Sequence, residues 1–170
     1  MKRESKRLRW KYIQHPGVDP HSYRIYEDGS IYSTVSKMWI KPWEDRKGYL
    51  EMSVWIDGGK KGLRLNRILA TAFIPKTRAD IKRNRDIVHF VDYDNTNYSL
   101  DNLKWVNPLE LHILNDIREN DIKKTPSACA DYIVRLFKAG YDAEDIIYAI
   151  GLKNTAPTLR SVNKILKSLV

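Results

Sequence analysis

The chain has 170 residues, with 30 Lys and Arg against 21 Asp and Glu and a formal charge of +9. A single cysteine, Cys129, excludes an intrachain disulfide framework, and no apolar run approaches the roughly 18–20 residues of a membrane helix. With 42% hydrophobic and 11% aromatic residues it has material for a core. Composition thus implies a soluble, intracellular, basic protein with an anionic partner, which points first to nucleic acid.

The charge is unevenly spread. Residues 1–85 carry 20 basic and 9 acidic side chains, whereas residues 86–170 carry 10 and 12. Lys2 to Lys11 holds six basic residues and one acid, a basic arm leading to Trp10. At the other end, Lys153 to Val170 contains Lys153, Arg160, Lys164 and Lys167 and no acid. Two basic zones around a near-neutral middle suit a protein that touches a polyanion at two places.

After the arm, His15 to His21 is loop chemistry, with Pro16, Gly17 and Pro20. Tyr23–Tyr26 and Ser30–Ser33 around Asp28-Gly29 predict a hairpin. Trp39–Pro42 and Tyr49–Ile56 also read as strands, and Asp57-Gly58-Gly59 as a turn into a strand at Leu63–Leu65. Asn66 to Phe73 changes to helical spacing and stops at Ile74-Pro75. Residues 76–86 read as a charged connector. A strand at Ile87–Val91, an Asp/Asn-rich loop at Asp92–Asn97 and a returning strand ending at Val106 follow. Pro108 then opens a helix over roughly Leu109–Glu119.

Past the Lys123–Pro126 linker, the spacing predicts a helix from Ser127 ended by Gly140, and a second capped by Asp142 and stopped at Gly151. A third runs from Thr158 to Leu169, with Leu159, Val162, Ile165, Leu166 and Leu169 inward. The last two helices, with their glycine turn, form a helix-turn-helix candidate. Its outward Lys153, Asn154, Thr158, Arg160 and Lys164 suit phosphate and base-edge contacts.

The order of these segments resembles a known family. Trp10-Lys11, Tyr23-Arg24-Ile25, Gly29 to Ser33, Gly48-Tyr49 and Asn66 to Pro75 resemble the modular N-terminal domain of phage HNH endonucleases. Val88 to Val106, ending in Asp101-Asn102-Leu103-Lys104-Trp105-Val106, is similar to the HNH (ββα-metal) core. With the C-terminal helix-turn-helix, nearly the whole chain resembles the HNH homing endonucleases of phage group I introns.

The resemblance implies an α+β fold: a small antiparallel β module over 1–75, a ββα-metal core over 76–122 and a helix-turn-helix domain over 123–170. It also implies Mg²⁺ held by an Asp on the first strand and an Asn or His on the following helix, beside a His acting as general base. Ungapped alignment back from Asp101–Val106 puts His89 at the carboxylate position, Phe90 at the base and Leu111, beside His112, at the helix ligand. Phe90 has no lone pair to take a proton, and imidazole suits Mg²⁺ poorly.

Two readings follow. In one, the chain is a sequence-specific double-stranded-DNA-binding protein with lost or impaired cleavage, a regulator or DNA-docking factor needing no cofactor. In the other, it is an active Mg²⁺-dependent nicking or cutting endonuclease using His89, Asp92 and His112, with a bulge re-aiming His89. A third class keeps the fold and binds a phage or host protein. Lys60, Lys61, Arg64, Arg67, Lys82, Arg83 and Arg85 join the C-terminal residues as expected DNA contacts. The expectation is a monomer on DNA in the cytoplasm of a phage-carrying bacterium.

Overall fold

A computed structural model describes residues 8–169, so most of the N-terminal basic arm lies outside the described residues. The chain forms two compact units. The first comprises residues 1–77 and 86–105, the second residues 78–85 and 106–170.

Among the described residues the first unit is built from short antiparallel strands, one α-helix and a short 3-10 turn at Leu100–Asn102. β1 (Trp10–Tyr12), β2 (Tyr23–Tyr26), β3 (Ile31–Ser33) and β4 (Met38–Ile40) form one sheet in that order. The β2–β3 turn needs Gly29, whose φ of +86° is open to a residue without Cβ. β5 (Trp43–Glu44), β6 (Leu50–Ile56) and β7 (Gly59–Arg64) form a second sheet. Its β6–β7 turn is a two-residue hairpin, Asp57 at +49° and Gly58 at +79°, the twist that right-handed strands favour.

Alternation along β6 buries Met52, Val54 and Ile56 and turns Glu51, Ser53 and Trp55 outward. Leu65 does not extend β7 as the sequence suggests. It opens α1 (Leu65–Phe73), because at 3% exposure it shares the buried helix face with Ile68 and Leu69. α1 packs on a core with Ile25, Ile31, Met52 and Phe90. β8 (Ile87–Phe90) pairs with β9 (Leu103–Val106). Trp105 on β9 donates its indole N–H to the Ile74 carbonyl at 2.8 Å, covering the end of α1.

The second unit is helical. The charged connector is not all loop: Arg78–Lys82 forms the short helix α2. α3 (Pro108–Glu119) starts at a reciprocal cap in which Asn107 accepts from the Glu110 N–H and Glu110 accepts from the Asn107 N–H, each at 3.0 Å. α4 (Ala130–Lys138), α5 (Ala143–Ile150) and α6 (Ala156–Lys167) follow. Asp142 caps α5, Gly151 ends it at φ +76°, and Thr155 caps α6, which starts at Ala156, two residues ahead of the predicted Thr158. Ile113, Ile133, Leu136, Ile146, Ile150 and Val162 make the core. Leu169, expected inward, lies past the end of α6 and is 43% exposed. Among the described residues no helix is long and apolar enough to cross a membrane.

Candidate nucleic-acid interface

The chemistry expected on β8 depends on three neighbouring side chains. His89 and Phe90 are consecutive on a strand and face opposite sides. Phe90 is 5% exposed within the first unit's core, its ring edge-on to Tyr98 at 5.3 Å and tilted against Tyr49 at 6.1 Å. His89 is buried, with its ring edge-on to Tyr93 at 4.8 Å.

Asp92 opens the loop after β8, and the loop's own donors engage both its oxygens. Oδ1 accepts from the Asp94 N–H and from Asn102 Nδ2, each at 2.8 Å, and Oδ2 accepts from Asn97 Nδ2 at 2.7 Å. The Asp94 N–H, then Asn97 and Asn102, hold the carboxyl below its ordinary pKa against a smaller opposing effect of burial. Asn102 closes the loop from the other side: its amide oxygen accepts from the Asp92 N–H at 2.9 Å and its Nδ2 also reaches the Asn97 carbonyl at 2.9 Å. Asp94 and Asn97 repeat the device toward Thr96 and Ser99.

His112 is exposed on α3, its Nε2 3.6 Å from Asp116 one turn on, and Leu111 is half-buried. Among the described residues, no three His, Cys, Asp or Glu side chains converge in a way that could hold a metal ion. The donor set is therefore a poor fit for Mg²⁺: a phenylalanine in the core, a buried imidazole and a carboxylate that already accepts three hydrogen bonds from its own loop.

The basic residues sort by strand face. Trp55 pairs with Lys60 and Glu51 with Arg64, so Lys60 and Arg64 share the outer face of β6–β7 with Ser53 and Trp55. Lys61 pairs with Val54 and lies on the opposite face. Arg64 is 3.2 Å from Asp45 and 3.7 Å from Glu51, and its guanidinium lies 4.6 Å over Tyr49. These are half-exposed ion pairs of the kind that contribute little and can exchange for phosphate. The Asp45 carboxyl is held low, chiefly by the Tyr49 N–H. Arg67 donates to the Asp86 carbonyl and lies 5.1 Å over Trp105. Lys76 pairs with Asp86, and Lys82 is exposed at the end of α2.

Arg83 and Arg85 are not placed as the sequence suggests. Arg85 is 1% exposed at the centre of the second unit. Its Nη2 lies 2.8 Å from Glu110 and 3.3 Å from Asp145, and its Nη1 3.0 Å from Asp80. Burial works against the Arg85 charge, but Glu110 foremost, with Asp80 and Asp145, outweighs it and holds the pKa above the ordinary value. Tyr148 covers the guanidinium at 4.2 Å, and burial pushes its phenol up. Arg83 donates to Asp145 at 2.8 Å and to the Gly140 carbonyl at 2.6 Å, over Tyr141. A guanidinium enclosed by carboxylates has no donor to offer a phosphate, so the expectation for Arg85 is corrected to a structural role and that for Arg83 goes with it. Sequence reading missed Asp80, Glu110 and Asp145 as their partners.

On α6 and its approach, Lys153, Asn154, Arg160 and Lys164 are exposed and Thr158 is half-exposed, while Val162 and Leu166 face the core. Arg160 and Lys164 therefore share the side of α6 away from the core, Thr158 lies one turn before buried Val162, and Lys153 and Asn154 precede the helix.

No protein-family model matches the chain. An uncharacterized HNH endonuclease of Acanthamoeba polyphaga mimivirus is 27% identical over 93 residues, 55% of this chain. The match spans 27% of that relative's length. The solved structure of the HNH homing endonuclease I-HmuI, described for its DNA binding and cleavage, aligns with a TM-score of 0.52 at 22% identity. The alignment covers 68% of this chain and 61% of that one.

Proposed function

We propose that this chain, which is HNH endonuclease-like in sequence and fold, is a sequence-specific double-stranded-DNA-binding protein whose frame has lost metal-dependent cleavage. What carries the reading is β8. Phe90 stands where the resemblance asks for a base, and its ring packs in the core where it can neither take a proton nor leave without opening a cavity. The carboxylate that opens the following loop, Asp92, is engaged by that loop's own donors.

Two surfaces carry the DNA contacts. Lys60 and Arg64 on the β6–β7 hairpin form a two-stranded ribbon of a width the major groove admits. α5 and α6 act as a helix-turn-helix, α6 reading bases with Asn154, Thr158 and Arg160 while Lys153 and Lys164 bind phosphate. The acidic start of α5, with exposed Asp142 and Glu144, keeps that helix off the backbone. Arg67 and Lys82 are further phosphate contacts at the exposed ends of their helices.

The test pairs duplex selection from a randomised library with a nicking assay in Mg²⁺ and in Mn²⁺. The expected result is a selected site, steep salt dependence and no nick. Lys60→Gln with Arg64→Gln should lower the log–log salt slope by about 2. Metal-dependent nicking that disappears in His89→Ala overturns the reading in favour of an active endonuclease.

A further inference from the structure

The outer face of the β1–β4 sheet departs from what an exposed sheet face normally carries. Register places Trp10 opposite Tyr26, Tyr12 opposite Arg24, Arg24 opposite Tyr32 and Tyr32 opposite Trp39. Paired residues share a side, so these six side chains cover one face: five aromatic rings and one arginine. The opposite face carries Ile25 and Ile31 and is the core. Antiparallel sheets with one wet side usually present polar residues there.

The rings form two clusters. Trp10 and Tyr12 lie 5.2 Å apart, and Trp39 lies 5.3 Å from both Tyr26 and Tyr32. Arg24 sits 4.3 Å over Trp10 and 5.8 Å from Tyr12. Its Nε is buried without a hydrogen-bond partner among the described residues. Trp10 is 42% and Trp39 61% exposed.

We propose that this face is a stacking platform for a single-stranded nucleic acid, its rings taking unpaired bases and Arg24 the strand between them. Flat π-faces with polar edges match bases, and every base has a π-face to offer. A duplex hides those faces in its own stack, so only unpaired nucleotides fit. Charge favours a polyanion over a protein segment. None of the six side chains is acidic, Glu27 at the end of β2 is bound by Arg9 at 2.6 Å, and Arg9 itself precedes β1 in the sequence. The platform is distinct from the duplex surfaces, since Lys60 and Arg64 belong to the other sheet of the first unit.

The experiment uses the full chain with a labelled oligothymidylate of about a dozen nucleotides, the order of a single-strand site. Fluorescence anisotropy reports binding, tryptophan quenching reports stacking, and duplex binding is measured in parallel. Trp39→Ala should weaken oligothymidylate binding by about tenfold, with Trp39→Phe retaining most of it and duplex affinity unchanged in both. Lys60→Gln with Arg64→Gln should do the reverse. Absence of oligothymidylate binding, equal binding by Trp39→Ala, or capture by this face of a proline-rich peptide instead overturns the platform. Loss of duplex binding alone strikes the duplex reading and leaves this one standing.

Discussion

Arg85→Met separates the two roles an arginine in a basic connector can have. Methionine keeps much of the stem's volume and removes the guanidinium from three carboxylates at 2.8, 3.0 and 3.3 Å. Glu110, at 0% exposure, then keeps the Asn107 N–H but loses its cation, while Arg83 still holds Asp145. Removing one partner of a buried ion pair costs about 3–5 kcal/mol, and several carboxylates sharing one cation put Arg85→Met at the upper end. A unit of this size has a total stability of roughly 4–11 kcal/mol at about 0.05–0.15 per residue, so the helices should be marginal in the variant. Urea unfolding followed by far-UV circular dichroism measures the loss. Adding Glu110→Gln retains the cap acceptor, removes one uncompensated charge and should restore about 1–2 kcal/mol. A loss below about 1 kcal/mol, or duplex affinity falling while stability holds, refutes the structural role and returns Arg85 to the DNA surface.

Asn102→Ala removes hydrogen bonds to the Asp92 N–H, to Asp92 Oδ1 and to the Asn97 carbonyl. At about 1 kcal/mol each it should cost roughly 2–4 kcal/mol and speed amide exchange at Asp92, read by hydrogen-exchange mass spectrometry. The Asp45, Asp86 and Asp92 carboxyls are all held below their ordinary pKa. A depressed carboxyl stabilises the fold above its unfolded value near 4, and that contribution fades as pH falls through the lower folded value. Stability of the first unit should therefore drop as pH falls below about 4, and Asp92→Asn should flatten that drop in urea titrations across pH.

What was legible in the sequence was local. The hairpin glycines, the alternation of β6 and the cap at Asp142 act through residues a few positions apart, and those elements form where expected. Leu65 was misplaced because a leucine at a strand–helix junction fits either period, and only packing against α1's buried face decides. The aromatic face was half visible. Tyr-Arg-Ile-Tyr and Ile-Tyr-Ser already put Arg24, Tyr26 and Tyr32 on one side, but Trp10, Tyr12 and Trp39 join them only through strand pairing.

Charge shows the same division. The sequence by itself determined how much positive charge the chain carries, where along the chain it lies, and that Phe90 cannot act as a base. It could not say which cations face water, because an ion pair joins residues dozens of positions apart and charge runs look alike whether solvated or buried. Tertiary structure alone brought Asp80, Glu110 and Asp145 around Arg85 and turned Lys60 and Arg64 outward together. A guanidinium leaves water only where carboxylates replace its hydration, and that exchange is set by packing rather than by the order of residues.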